Sequence, residues 1–206
     1  MRNRAGHDIN YLARAGVAAC SGRKETGPCL CGVQIADVAS GSNHAVIGIL
    51  AAVFHRHRTG EGQYVDVSMT DGAVAFNALF AAAYLVDGSE NCCGEGVLNG
   101  GSLYDFYETQ DGKYLSFGGL EPQFFSAFCE AIGRPDLIPG GVIPADLPRV
   151  KEEVRRVLKT RTRDEWAAVF AKVDACVEPV LSLGEALGDD QVRARGMVVE
   201  VDLPRG

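Results

Sequence analysis

Side chains suited to proton transfer occur in three short stretches of the sequence, the first of which is GHDINY at residues 6–11. His7 carries an imidazole, the side chain best able to take up and release protons near neutral pH. Gly6 lets the backbone approach a ligand closely, and Asp8 and Asn10 place further polar groups ahead of an apolar run. A purely structural histidine fits the same spacing, so His7 alone leaves both interpretations open.

The second stretch, VQIADVASG, contains Asp37. The run CGVQIAD predicts a buried strand, and Asp37 would lie at its carboxyl end, ahead of a helix. Ligands bind at that edge of open α/β sheets. The alternative is that Asp37 caps the helix, although Ser40 and Ser42 are better placed to do so.

The third stretch, FGGLEPQFF, contains Glu121 between two glycines and a helix-starting proline. On local grounds Glu121 is an acid that meets the positive end of a helix dipole. As a functional group, its carboxylate could instead reach across from this glycine-rich loop and orient a histidine, as in known acid–base pairs.

Other candidate residues fit structural roles better. His55 and His57, which alternate with Arg56 and Arg58, form a solvated helix end, and Asp66 and Asp71 flank a strand-to-helix turn. No second Cys or His pair completes a zinc site, so we predict no metal. The seven cysteines, an odd number, indicate reduced thiols and a cytoplasmic location; they are Cys20, Cys29, Cys31, Cys92, Cys93, Cys129 and Cys176.

The elements that must position these groups follow from periodicity and turn residues. A helix is predicted from Ala45 to the last turn before Gly60, then a strand over QYVDVSM and a fully buried helix over DGAVAFNALFAAAYLV. A glycine-rich linker follows at residues 87–102. Beyond it, a hairpin turning at Asp111 and Gly112, three helices, a short strand, a further helix and a last strand over MVVEVDLP are predicted.

Composition excludes several classes of protein. The 206 residues carry a formal net charge of −7, which disfavours a nucleic-acid surface because neutralising phosphates requires clustered Lys and Arg. There is no run of about 18 apolar residues and no apolar segment near the start that would form a secretory signal. We therefore predict a protein that neither spans a membrane nor binds nucleic acid.

Three stretches in matching order and separation resemble the family III CoA-transferase superfamily, also called the CaiB/BaiF family. They are GHDINY (6–11), the segment 36–72 beginning ADVASGSNHAVIGIL, and LYDFYETQDGKYLSFGGLEPQFF (103–125). The histidine of GHDINY points to the α-methylacyl-CoA racemase branch, because the transferases share the aspartate but not this histidine. The likeness covers nearly the whole chain.

The resemblance implies a role for each candidate residue. His7 and Asp37 match the family's catalytic histidine and aspartate, and Glu121 matches the glutamate that hydrogen-bonds the histidine. The stretch Gly6, His7, Asp8, Ile9, Asn10 and Tyr11 matches the segment that contacts coenzyme A. The implied reaction is racemisation of a 2-methylacyl-CoA by two-base 1,1-proton transfer at the α-carbon of the thioester. The substrate itself carries the coenzyme A, so no separate cofactor is expected.

The resemblance also implies an α/β fold. We expect a partial large domain of the family III fold at residues 1–86, the linker at 87–102, a smaller α+β domain at 103–185, and at 186–206 the start of a segment returning to the large domain. Family members are interlocked homodimers and are longer at both ends, so we expect a fragment with impaired activity. The alternatives are a CoA-transferase with Asp37 as nucleophile and a non-catalytic partner subunit.

Overall fold

Helices form most of the regular structure, and two small antiparallel sheets accompany them. The computed structural model describes residues 4–142 and 145–202. The chain divides into two compact units, Met1–Ser102 and Leu103–Gly206. The architecture is therefore a helix-dominated α/β mixture, and the predicted domain boundaries at residues 86, 102 and 185 remain predictions.

The first unit is mainly helical, with a small two-stranded sheet. Its elements are α1 (Asp8–Arg14), α2 (Val17–Cys20), β1 (Gly22–Arg23), β2 (Gly27–Pro28), a π-helix (Ala36–Asn43), α3 (His44–Thr59), α4 (Met69–Phe76) and α5 (Ala78–Asp87).

The predicted strand before Asp37 is wrong. A π-helix begins at Ala36 and runs into α3, so Ser40 and Ser42 lie inside the helix instead of capping it. Within the described part of this unit, residues 31–35 have no strand to pair with. A helix pairs its own backbone groups, whereas a lone strand leaves them unpaired. Asp37 therefore lies in a first helical turn.

The predicted strand QYVDVSM is also wrong, because residues 61–68 form no strand pairing. Its apolar face is nevertheless used. Val65 and Val67 lie over Gly48 of α3, where a Cβ atom would come within 2.8 Å of Val65 Cγ1. The alternation of apolar and polar residues in this segment thus reflects the packing of Val65 and Val67 on α3.

The predicted buried helix at residues 71–86 is broken and largely exposed. It bends by 69° between α4 and α5, at Asn77, whose Nδ2 donates to the carbonyl oxygen of Ala15 at 2.9 Å. Leu85 and Val86 of α5 are 82% and 86% exposed. This hydrogen bond joins residues 62 positions apart, so the local periodicity of the sequence does not indicate it.

The core of the first unit lies where α1, α4 and the π-helix meet. Its buried residues are Leu12, Ala15, Ala36 and Ala73. The π-helix and α4 approach closely at Gly72, where a Cβ atom would lie 2.9 Å from both Cβ and the carbonyl oxygen of Ser40. Small side chains thus allow α4 to pack closely against the π-helix, which carries Asp37.

Residues 88–102 of the predicted linker form turns and irregular segments within the first unit, and Asp87 ends α5. Asn99 organises them, because its Nδ2 donates to the carbonyl oxygens of Cys20 (2.9 Å) and Cys92 (3.0 Å). The segment predicted as a linker is therefore hydrogen-bonded to the end of α2.

The second unit contains a three-stranded antiparallel sheet in the order β3–β4–β5. The predicted hairpin is confirmed: Asp105 pairs with Phe117 and Glu108 with Tyr114, and Gly112 takes a left-handed φ of 72° at the turn. The strands are β3 (Asp105–Glu108), β4 (Tyr114–Phe117) and β5 (Val177–Pro179).

Helices cover this sheet and fill the larger core. They are α6 (Pro122–Ala131), α7 (Leu147–Leu158), α8 (Arg163–Phe170), α9 (Leu183–Gly188) and α10 (Asp190–Ala194), with 3₁₀ turns at Pro135–Leu137 and Pro139–Val142. The predicted capping box of Thr162 and Glu165 is confirmed at the start of α8.

Two predictions near the carboxyl end are wrong. The single helix predicted over GEALGDDQVRARG is divided into α9 and α10 by Asp189, whose side chain caps α10. The last strand predicted over MVVEVDLP has no pairing across residues 197–202, the part of it that the structure describes. A strand needs a neighbour, and no described strand lies beside this segment.

Within residues 4–142 and 145–202, one unbroken helical stretch, Ala36–Thr59, is long and apolar enough to cross a membrane by length and composition. Only 6% of its most apolar window is buried. Helices that pack beneath further protein have the same composition. The absence of a membrane-spanning segment remains a prediction.

Candidate active site

His7 and Asp37 line the same cleft of the first unit. The cleft has a volume of about 420 Å³, a size typical of small-ligand sites. It is built from α1, α2, the loop after β2 and the start of the π-helix. Two groups that are 30 positions apart in sequence (37 − 7) therefore face one space.

His7 is the residue immediately before α1. Its backbone is extended, with φ −129° and ψ 176°, and its N–H donates to Asn10 Oδ1 at 3.0 Å. The side chain is exposed in the cleft. Asn10 thus fixes the main chain of His7 while the imidazole stays accessible to a ligand.

Asp37 enters the cleft from the π-helix. Its side chain is exposed, while the neighbouring Ala36 is fully buried and anchors that turn. π-Helical turns are rare and often occur at functional sites. A carboxylate and an imidazole on separate elements of one cleft can accept or return protons from different directions.

Asp8 connects these two elements through its side chain. Its Oδ1 accepts hydrogen bonds from the backbone N–H groups of Ala36 at 2.6 Å and Asp37 at 3.1 Å. The family resemblance predicts that Asp8 contacts coenzyme A. No local signal indicates its capping role, because its partners lie 28 and 29 positions further along the chain.

The other residues of GHDINY divide between the cleft and local structure. Ile9 lines the cleft. Tyr11 packs over Gly6, where a Cβ atom would lie 3.2 Å from the ring, and its hydroxyl donates to the carbonyl oxygen of Gly6 at 3.2 Å. Contact with Tyr11 therefore accounts for the glycine, independently of any ligand.

Apolar side chains line the cleft together with the two acid–base groups. Such a lining suits an acyl chain, because burying apolar surface is favourable. The apolar residues are Ile9, Leu12, Val17, Ala18 and Leu30.

Cys29 and Cys31 also line the cleft, a placement that sequence analysis missed. Their spacing gave no functional signal. All seven cysteines are free thiols, and burial raises the pKa of Cys129 to about 12. Across residues 4–142 and 145–202 no group of three His, Cys, Asp or Glu side chains could hold a metal ion.

Glu121 belongs to the second unit, where it precedes α6 with an extended backbone and an exposed side chain. Its carbonyl oxygen accepts from the N–H groups of Phe124 and Phe125, both at 3.1 Å. The carboxylate makes no capping hydrogen bond. Its pairing with His7 remains a prediction.

The histidines and aspartates predicted to have structural roles do not line the cleft; they are His55, His57, Asp66 and Asp71. His55 and His57 are in the last turns of α3, which Gly60 terminates with a φ of 78°. Asp71 donates its backbone N–H to Ser68 Oγ at 3.2 Å in the first turn of α4, and Asp66 is exposed in the segment before it.

Comparison with known proteins places these features in a family. The family model described as CoA-transferase family III matches residues 1–206. Human alpha-methylacyl-CoA racemase is 34% identical over 197 residues, which cover 95% of this chain and 52% of that protein. Mouse succinyl-CoA:glutarate CoA-transferase is 29% identical over 211 residues, covering 99% of this chain and 48% of that one.

Solved structures agree with this assignment. The crystal structure of a CAIB/BAIF family protein from Brucella suis has a TM-score of 0.77 and 25% identity, and it covers 94% of this chain and 52% of that chain. The chain thus spans about half the length of the curated relatives and solved structures it matches. It belongs to CoA-transferase family III.

Proposed function

We propose that this chain carries the catalytic pair of an acyl-CoA racemase that acts on 2-methylacyl-CoA thioesters. The observation that carries the proposal is the shared cleft of His7 and Asp37. The 34% identity to alpha-methylacyl-CoA racemase supports the isomerase over other members of the family.

In the proposed reaction, one of the two groups removes the α-proton of the thioester and the other returns a proton to the opposite face. The charge moves onto the thioester oxygen in the enolate and returns to carbon on reprotonation. Because inversion needs two groups on opposite faces of one carbon, they must come from separate elements. The placement of His7 immediately before α1 and of Asp37 in the π-helix supports this proposal.

Supporting roles extend this proposal to other residues. The carboxylate of Glu121 orients the imidazole of His7, as the family resemblance implies. The main chain and side chains of Gly6 to Tyr11 contact the coenzyme A that the substrate brings, and no separate cofactor takes part. The protein acts in the cytoplasm as a homodimer.

The experiment is exchange of the α-proton of a 2-methylacyl-CoA in deuterated water, followed by mass spectrometry. We expect exchange above the buffer rate, and in His7→Ala the loss of exchange for the epimer whose α-proton faces His7. His57→Ala, on the exposed end of α3, is the matched control and should keep the rate. Exchange that is equal in the chain and in His7→Ala would contradict the proposal.

A CoA-transferase is the second candidate, because succinyl-CoA-dependent transferases are among the similar proteins. In that reaction Asp37 attacks the thioester carbonyl, forms a mixed anhydride and releases the CoA thiolate. Trapping with hydroxylamine and peptide mass mapping distinguish the two. A hydroxamate at Asp37 that persists in His7→Ala would favour the transferase.

A further inference from the structure

The side chain of Asp8, the first residue of α1, forms two hydrogen bonds with the first turn of the π-helix. One carboxylate oxygen accepts two successive N–H groups, those of Ala36 and Asp37, at 2.6 and 3.1 Å. The first N–H groups of a helix have no partner within it, and Asp8 supplies one from a distant element.

This arrangement places Asp8 between the two acid–base groups. Asp8 follows His7 directly in the chain, and it binds the main-chain N–H of Asp37 itself. The path from His7 to Asp37 therefore runs through one side chain, whereas the covalent path runs through 29 intervening residues (8 to 36). The carboxylate charge also complements the positive end of the helix that begins there.

We propose that Asp8 is a positioning residue that holds the main chain of Asp37 at a fixed place relative to His7. The proposal rests on the proposed function, because it assigns Asp8 the geometry of the two-base reaction. It gives the Asp8 side chain a role separate from contact with coenzyme A. The acceptor oxygen is what matters, so asparagine can replace it and alanine cannot.

The first test measures the two amides by hydrogen exchange of the full chain in NMR spectra. In Asp8→Ala we expect the protection of the Ala36 and Asp37 amides to fall about tenfold or more, as a hydrogen bond to a charged acceptor is lost. Asp8→Asn should keep most of the protection, since asparagine is an equally good cap. Unchanged protection in Asp8→Ala would overturn the proposal.

The second test measures α-proton exchange at saturating and limiting 2-methylacyl-CoA. In Asp8→Ala the rate at saturation should fall about a hundredfold, as expected for a misplacement of about an ångström, with little change in KM. Asp8→Asn should recover most of the rate. Ser68→Ala is the matched control, because Ser68 caps α4 in the same unit. In this variant the protection of the Ala36 amide and the exchange rate of the substrate should both equal those of the unaltered chain.

The outcomes separate this proposal from the proposed function. Loss of amide protection without loss of rate would overturn the positioning role, as would an Asp8→Asn variant as slow as Asp8→Ala. If the unaltered chain shows no exchange, the proposed function fails, and the amide protection then decides by itself whether Asp8 holds Asp37 in place.

Discussion

Arg163 carries a buried charge in the second unit. Its Nη1 and Nη2 donate to the two carboxylate oxygens of Glu185 at 2.9 and 2.6 Å, and Nη1 also donates to the carbonyl oxygen of Val180 at 3.0 Å. The planar guanidinium matches the carboxylate in this paired geometry. The pair joins the start of α8 to α9.

This pair predicts a loss of stability in acid. Arg163 and the backbone N–H of Ser182 hold the pKa of Glu185 well below its usual range. Because the folded pKa lies below the unfolded value of about 4.5, the stabilisation is present above that pH and is lost as the pH falls. Urea unfolding followed by Trp166 fluorescence should give a constant free energy from about pH 7 to pH 5 and a decline below.

The comparison variants for this prediction are Glu185→Gln and Glu130→Gln. Glu185→Gln removes the charge, so the free energy of unfolding should fall less steeply below pH 5. Part of the fall should remain, because other carboxylates of the unit also have lowered pKa values. Glu130→Gln, on the exposed side of α6, should follow the unaltered chain. An identical decline in Glu185→Gln would contradict the prediction.

Glu121 permits a separate test of catalysis at the residue scale. If its carboxylate orients His7, Glu121→Gln should slow α-proton exchange by about a hundredfold, at the lower end of what an acid–base group contributes, while KM stays unchanged. Helix stability should not change, because Glu121 makes no side-chain cap. Glu130→Gln is again the control, and a full rate in Glu121→Gln would exclude the role.

The candidate site could be predicted from the sequence only in part. His7 and Asp37 were chosen by residue type and by resemblance to a family, and their shared cleft is a property of the folded first unit. The side chain of Asp8 bonds to residues 28 and 29 positions away. No local pattern encodes that contact, so the sequence could not reveal it.

Among the helices and strands, turns and helix caps were predicted correctly, whereas three strands predicted from their own residues were not formed in the part of the chain that the structure describes. The turn at Gly112 and the capping box of Thr162 and Glu165 each involve neighbours within a few residues. The strands predicted at 31–37 and 63–69 failed, as did the described part, 197–202, of the strand predicted at 197–204, because a strand depends on a partner that the segment itself does not specify. The break at Asn77 likewise depends on the distant Ala15.

Gly72 provides a test of how the helices of the first unit pack. A Cβ atom there would lie 2.9 Å from the backbone oxygen of Ser40, so Gly72→Ala must push α4 away from the π-helix. We expect the free energy of unfolding to fall by about 1–3 kcal/mol, as for other overpacked cores, in urea unfolding followed by circular dichroism.

Gly184→Ala is the matched control, since Gly184 lies in α9 with open space around it. Alanine has the higher helix propensity, so this variant should unfold at the same or a higher urea concentration. If Gly72→Ala were as stable as Gly184→Ala, the close contact between the two helices would be refuted.

At the scale of the whole molecule, the two units differ in how much apolar surface they bury. The core of the second unit includes Trp166, Tyr107 and Phe128 and is much larger than the core of the first. None of the side chains of α3 is buried, and Ile47, Leu50 and Phe54 are 62%, 62% and 64% exposed. Exposed apolar surface of this extent favours association.

We therefore expect the chain to bind a hydrophobic dye and to associate as its concentration rises. Leu50→Glu should reduce both effects, because it places a charge on the exposed face of α3 without removing a buried contact. Sedimentation velocity and dye fluorescence measure the change, with His57→Ala as control. A chain that stays monomeric at high concentration and binds no dye would contradict this expectation.

Exchange of the α-proton, measured separately for the two epimers of a 2-methylacyl-CoA in deuterated water, shows most directly whether His7 and Asp37 act as two bases. If His7 and Asp37 face one carbon from opposite sides, His7→Ala should lose exchange of one epimer and Asp37→Asn should lose exchange of the other. Each variant should keep exchange of the epimer whose proton faces the remaining group. Loss of the same epimer in both variants would contradict the two-base account.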